Sequence, residues 1–217
     1  VDLGFTLKPT TNYIENTQKY KQYRVKVNDS DVNYYIYYPS SKSKSADVLI
    51  ALHGSGRTGV SMLDTWQNIA NREGFIVMAP NAKNTQGWGS SDSMNNIFSA
   101  LDNDLKSKGW QRKKTYLFGH SSGGLYTMSA LAEQAVKFNA IAVHGAAQPM
   151  NSIGFLSTGA PLKVGIFLGD SDDLFSVASA KENVTWLAKE GFKPSLFIIK
   201  NHSHWYYENY NRLHQTI

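Results

Sequence analysis

A serine with glycines two residues away on either side, Gly119-His120-Ser121-Ser122-Gly123, follows the short apolar run Thr115-Tyr116-Leu117-Phe118 and runs at once into a helical pattern over residues 125–131. A serine on so tight a strand-to-helix turn has strained backbone dihedrals, and a Cβ two residues before or after it would collide with the neighbouring strand and helix. The turn presents the Ser121 hydroxyl at the carboxyl end of a sheet, beside the positive end of the next helix, which is where a nucleophile belongs. The five-residue motif recurs by chance in glycine-rich loops. Its context, strand before and helix after, turns it into a chemical expectation.

A serine nucleophile needs a base, an acid that orients the base, and donors for the oxyanion that forms when an ester carbonyl is attacked. Leu52-His53-Gly54-Ser55-Gly56 lies at the end of another apolar run, and the amides of Ser55 and Ser122 are the expected oxyanion pair; losing one such donor costs about 3 to 4 kcal/mol. His53 precedes the serine in the chain, whereas the base usually follows it, so it reads as a packed histidine bonded to backbone. The acid is sought in Gly169-Asp170-Ser171-Asp172-Asp173. Asp172 is the expected triad member, with Asp170 capping the turn and Asp173 capping the next helix. The base lies in Asn201-His202-Ser203-His204. His202 stands only three residues beyond Ile199, barely out of the preceding strand, so loop reach favours His204, with His202 as second choice. Two alternating histidines could also ligate a metal, but no third histidine or carboxylate cluster accompanies them, and neither metal nor cofactor is expected. Trp88, Trp205, Tyr206 and Tyr126 are candidate apolar walls of an open cleft, Trp88 and Trp205 being the expected substrate contacts.

Positioning these loops requires a sheet. Residues 23–27 and 32–38 flank Asn28-Asp29-Ser30-Asp31 and read as a hairpin of two tyrosine-rich edge strands. Residues 48–52 are apolar without alternation, as in a central strand covered on both faces, and residues 75–79, 115–118, 140–143, 164–168 and 196–199 continue the series. Helical patterns lie between them around residues 63–72, 94–106, 125–136 and 177–189. The alternation predicts an α/β fold: a mostly parallel central sheet with helices on both faces and an antiparallel N-terminal hairpin. Residues 40–45 are a solvated loop rather than a linker, so residues 1–217 read as one domain with no separate lid.

Composition narrows the partners. The formal charge of +5 comes from scattered Lys and Arg with no arginine-rich stripe, so no nucleic acid is expected. The chain has no cysteine, which excludes disulfides and a thiol nucleophile but suits secreted, periplasmic and cytoplasmic settings equally. No apolar run reaches the length of a membrane span and no signal peptide is read, so a soluble protein without a membrane partner is expected. Nothing in the sequence speaks to oligomeric state.

From about residue 48 onward the chain resembles the α/β-hydrolase superfamily, in particular the small serine esterases related to polyhydroxybutyrate depolymerases, feruloyl and acetylxylan esterases and esterase D. The resemblance rests on His53-Gly54-Ser55-Gly56, on Trp66 through Ile69-Ala70 to Gly74-Phe75-Ile76-Val77-Met78-Ala79-Pro80, and on Gly87-Trp88-Gly89. It continues through residues 119–124, Gly169 with Asp172, and His204-Trp205-Tyr206-Tyr207. It implies an α/β-hydrolase fold and a serine carboxylesterase acting on feruloyl, acetyl or other short-chain esters, small or carbohydrate-linked, through an acyl-enzyme. Ser121 would be nucleophile, Asp172 acid and His204 base, with the Ser55 and Ser122 amides as oxyanion hole. This chain departs from the family in having no lid insertion and none of the cysteines of secreted depolymerases. The alternatives are a serine peptidase of the prolyl-oligopeptidase type, which normally carries an additional domain, and a non-catalytic binding protein on the same scaffold, which would usually have lost a triad residue.

Overall fold

The computed structural model describes residues 2–6, 13–134, 137–147 and 161–207. Among these residues nine strands form one sheet: β1 (Asp2–Thr6), β2 (Tyr23–Val27), β3 (Ser30–Tyr37), β4 (Ser45–Leu52), β5 (Ile76–Pro80), β6 (Gln111–His120), β7 (Ala140–His144), β8 (Lys163–Gly169) and β9 (Lys193–Lys200). Their order is β1-β9-β8-β7-β6-β4-β5-β3-β2, parallel throughout except where β3 pairs antiparallel with β2 and β5. Among the described residues four helices connect them: α1 (Gly59–Glu73), α2 (Met94–Ser107), α3 (Ser122–Gln134) and α4 (Val177–Lys189). The crossovers from β4 to β5, β5 to β6, β6 to β7 and β8 to β9 each hold one of these helices, as parallel pairing requires.

Alternation along β4 shows how the core divides. Val48, Ile50 and Leu52 face the layer that contains Leu101 of α2, Met128 of α3 and Leu187 of α4. Leu49 and Ala51 face the opposite layer with Val60, Leu63 and Trp66 of α1. Both faces are apolar because both are covered, which is why this strand has no polar alternation in its sequence.

The expected sheet with helices on both faces and an N-terminal hairpin is the architecture found, with local differences. The hairpin turn is tighter than residues 28–31: only Asn28 and Asp29 form it, both at positive φ (47° and 60°), the two-residue geometry that matches strand twist. Of the two expected edge strands only β2 is at an edge, because β3 is sandwiched between β2 and β5. β1, on the opposite edge beside β9, had no sequence reading. The α4 N-cap is Ser176, whose side chain accepts from the Ser179 N–H at 3.0 Å; Asp173, the expected cap, is exposed one turn earlier.

Candidate active site

The loops that carry chemistry all leave the carboxyl ends of strands. Ser121 follows β6 directly, Asp172 lies three residues after β8, His204 four after β9, and Ser55 three after β4. Ser121 has φ of 53°, a left-handed conformation unusual for a residue with a side chain and a local cost of order 1 to 3 kcal/mol. The glycines around it are sterically required. A Cβ on Gly119 would lie 2.2 Å from the Gly123 carbonyl oxygen, and one on Gly123 would lie 2.5 Å from that of Leu52.

Between β6 and β9 in the sheet stand β7 and β8, so the histidine must reach across two strand ends to meet the serine. Gly145, just past β7, makes this possible. Its φ is +56°, and a Cβ there would come within 3.0 Å of the His204 ring and 3.5 Å of Asp172 Oδ2. His204 rests over this gap. Ser121 Oγ–H donates to His204 Nε2 at 2.9 Å, and His204 Nδ1–H donates to Asp172 Oδ2 at 2.9 Å. The carboxylate therefore fixes the tautomer that leaves a lone pair facing the serine.

Asp172 is well prepared to remain ionised. Its side chain is fully buried, which by itself would push its carboxyl up. Hydrogen bonds from His204 and from the N–H groups of Phe175 and Leu174, both 2.9 Å from Oδ1, outweigh burial and hold it below the ordinary carboxylate value. Its neighbours do other things. Asp170 Oδ1 accepts from the Asn201 N–H at 2.7 Å and from the Ser171 hydroxyl, tying together the loops after β8 and β9, and Asp173 is exposed.

The Ser122 amide is the first N–H of α3 and has no carbonyl behind it within the helix. Among the described residues neither it nor the Ser55 amide donates to a protein acceptor. Both residues border Gly87, where a Cβ would lie 2.4 Å from Ser122 Oγ and 3.4 Å from Ser55 Oγ. The Trp88 N–H donates to Ser122 Oγ at 2.9 Å and its indole N–H to the His53 carbonyl at 2.8 Å, so Trp88 pins the loop after β5 onto both expected oxyanion segments. His53 is buried, donating from Nδ1 to the Gly54 carbonyl at 2.8 Å and accepting at Nε2 from the Ala82 N–H at 3.1 Å. Burial pushes its pKa down to about 4.

A cleft of about 660 Å³ flanks the site, lined by Trp88, Leu125, Tyr126 and Ser129, with Ser93 and Asn95 on its polar side. Tyr126 stacks on Trp88 at 5.4 Å between ring centroids. Trp205 does not line this cleft: it packs edge-on to Tyr207, with the Arg57 guanidinium over its ring. Tyr206, expected as a cleft wall, is fully buried beneath the site against Phe118, His120 and His144; it follows the base closely enough for the chain to have turned back into the core. Another cavity, about 480 Å³, is lined by Leu49, Trp66, Ile69 and Tyr116 at the other end of the strands and includes no site residue.

The structure thus brings Ser121, Asp172 and His204 into one hydrogen-bonded series and sets Ser55 and Ser122 beside it. His202 is elsewhere. It is fully buried, with Nε2 2.9 Å from His144 Nε2. Sequence reasoning missed His144, and did not assign His120 a role. The available signal was that both stand at carboxyl ends of neighbouring strands, paired in register. Among the described residues no group of three His, Cys, Asp or Glu could hold a metal, and no helix is long and apolar enough to cross a membrane.

No protein-family model matches the chain. A curated relative, a bifunctional acetylxylan esterase/xylanase of Neocallimastix patriciarum, is 26% identical over 148 residues, covering 65% of this chain and 22% of the relative. The chain thus spans about a fifth of that protein's length. Among solved structures, a carboxylesterase of Mesorhizobium loti superposes with a TM-score of 0.68 at 17% identity, covering 89% of this chain and 97% of that one. A poly(3-hydroxybutyrate) depolymerase of Bordetella parapertussis gives 0.66 at 16% identity, covering 85% of each. The chain therefore shares with these two structures the α/β-hydrolase fold that the sequence resemblance implied.

Proposed function

We propose that the protein is a serine carboxylesterase that hydrolyses its substrate through a Ser121 acyl-enzyme. The observation that carries this reading is a strained serine whose hydroxyl reaches a buried carboxylate through the two nitrogens of a single imidazole, each contact 2.9 Å long. His204 Nε2 takes the Ser121 proton as Oγ attacks the ester carbonyl. The oxyanion is held by the Ser55 and Ser122 amides, and Asp172 stabilises the imidazolium. Collapse of the tetrahedral intermediate expels the alkoxide, which takes the proton back from His204. Water, deprotonated by His204, then attacks the acyl-enzyme; the second tetrahedral intermediate expels Ser121 Oγ, which takes that proton from His204 as the acid is released. No cofactor enters the cycle.

The substrate class we favour is a short acyl ester on a carbohydrate or other hydroxyl-rich alcohol. Aromatic rings and Ser, Asn side chains share the adjacent cleft, a mixture suited to sugars, and the curated relative is named as an acetylxylan esterase. The continuous nine-stranded sheet supports reading residues 1–217 as one domain. A panel of p-nitrophenyl esters of increasing acyl length, with acetylated xylan and methyl ferulate, tests the assignment. Hydrolysis of acetyl esters that disappears in Ser121→Ala is expected. Turnover by Ser121→Ala at the native rate would remove the nucleophile, and preference for long acyl chains would remove the substrate class.

A further inference from the structure

Among the described residues four buried histidines take no part in the chemistry above, and three of them lie directly beneath it and touch one another. His120 is 3% exposed, and His144 and His202 are wholly buried. Their nitrogens meet in series: His120 Nδ1 is 3.0 Å from His144 Nδ1, and His144 Nε2 is 2.9 Å from His202 Nε2. A neutral imidazole has one donor and one acceptor nitrogen, so the series has a direction, and one further contact sets it. His120 Nδ1 is also 3.3 Å from the His144 carbonyl oxygen, which can only accept, so His120 carries its proton on Nδ1. His144 then accepts at Nδ1 and donates from Nε2 to His202 Nε2. The His202 proton is left on Nδ1, the atom that has no hydrogen-bond partner among the described residues. A metal does not suit this arrangement, because the two nitrogens of His144 point to different neighbours and the lone pairs do not converge.

We propose that His120, His144 and His202 form a neutral, one-directional imidazole ladder that locks the strand ends carrying the site to one another, and that His144 is thereby a positioning residue for Ser121 and His204. The ladder crosses from the end of β6 to the end of β7 and on to the loop after β9. At each rung, backbone bonds carry its position to the site. The His144 carbonyl accepts from the Ser121 N–H at 3.0 Å, and the His202 carbonyl accepts from the Ser171 N–H, beside Asp172, at 3.0 Å. The His120 ring lies 5.1 Å from the His204 ring, and Tyr206 is packed against both His120 and His144 at 5.1 Å. His202 stands two residues before His204, so a slip of the upper rung moves the base and the acid loop together. Burial pushes the pKa of His202 down to about 4 and that of His120 well below the ordinary imidazole value, which keeps both rings uncharged at neutral pH.

The proposal rests on the acyl-transfer reading of Ser121, and two measurements keep the two apart. In the native protein labelled with ¹⁵N-histidine, nitrogen–nitrogen couplings across the hydrogen bonds should link His120 Nδ1 to His144 Nδ1 and His144 Nε2 to His202 Nε2, whatever the protein hydrolyses. Absence of both couplings would overturn the ladder. The second measurement compares His144→Phe with the native protein in p-nitrophenyl acetate turnover and in the rate of fluorophosphonate labelling of Ser121. His144→Phe should lower kcat and the labelling rate together by about tenfold to a hundredfold, the cost of misplacing reacting groups, while KM changes less than twofold. His144→Asn, which keeps an acceptor towards His120, and His144→Gln, which keeps a donor towards His202, should each regain part of the loss. A folded His144→Phe protein with native kcat and labelling rate would overturn the positioning role. Couplings present in a native protein that neither labels nor turns over ester would instead remove the acyl-transfer reading, and the positioning role with it.

Discussion

The side chains of Asp104 and Asp172 are both buried, and only that of Asp172 faces a nucleophile. Asp104, on α2, is 6% exposed and accepts from the Tyr34 hydroxyl at 2.8 Å, the Tyr38 hydroxyl at 2.6 Å and the Lys108 ammonium. Asp172 accepts from two backbone amides and from His204. In both cases burial would raise the carboxyl pKa and hydrogen-bond donors reverse the effect, so both lie below the ordinary value. The difference is where the network ends. Every donor to Asp104 terminates there, which makes a closed structural knot joining α2 to β3 and the residue after it. One donor to Asp172 is an imidazole whose second nitrogen meets a serine held at positive φ. A depressed carboxyl pKa therefore marks burial with good partners, and the onward connection marks chemistry.

That contrast is broken most severely at Asp172. Asp172→Asn should lower kcat by about four orders of magnitude while leaving the fold in place, because the amide can stabilise neither the correct tautomer nor the imidazolium. Asp104→Asn should do the reverse, destabilising the fold by about 3 kcal/mol through loss of a buried, multiply bonded charge beside Lys108, with kcat of the folded fraction unchanged. Steady-state kinetics beside urea melts of the two variants distinguish these outcomes. A kinetic collapse in Asp104→Asn would erase the distinction.

Acid should act on the fold through His53 and His202, both held near pKa 4 by burial. The unfolded chain takes up protons as the medium falls through about 6.5, and the folded chain refuses them until about 4, so stability is fully present above that window and is lost within it. The loss amounts to at most about 3 kcal/mol for each histidine. Urea melts at stepped pH should show the midpoint falling between pH 6.5 and 4; a flat midpoint across that range would mean these imidazoles are not held neutral. The smallest effect is expected in the cleft. Tyr126→Ala removes half of the stacked Trp88–Tyr126 pair and should raise KM several-fold with kcat within about twofold, as for loss of uniform binding. An unchanged KM would move substrate recognition away from this wall.

How much of this was legible in the sequence depended on whether the signal was local. The elbow was legible because strand, glycines and helix are contiguous, and residue types alone describe the steric need around Ser121. His204 was separable from His202 through loop reach and the family resemblance and not through residue type, since both residues have the same chemistry. What distinguishes them physically is a non-local contact, the His202 nitrogen against His144, 58 positions away. The first half of β6 was illegible for a different reason. Gln111 to Lys114 are polar and mostly exposed, because there the strand pairs with β4 alone and buries no apolar stripe. Tyr206 was misread because an aromatic beside a base suits a cleft wall and a core position equally well by type. Asp173 lost the α4 cap to Ser176 because the cap is set by where the chain first turns helical, a boundary that composition locates only to within a few residues.

The central claim is that Ser121 is the activated nucleophile of the series Ser121–His204–Asp172. Its most direct test is peptide mapping of the native protein after reaction with a fluorophosphonate at neutral pH. The account predicts a single covalent adduct on Ser121, formed at a rate that collapses in His204→Ala and Asp172→Asn and absent in Ser121→Ala. An adduct on another residue, or an unreactive native protein, would contradict it.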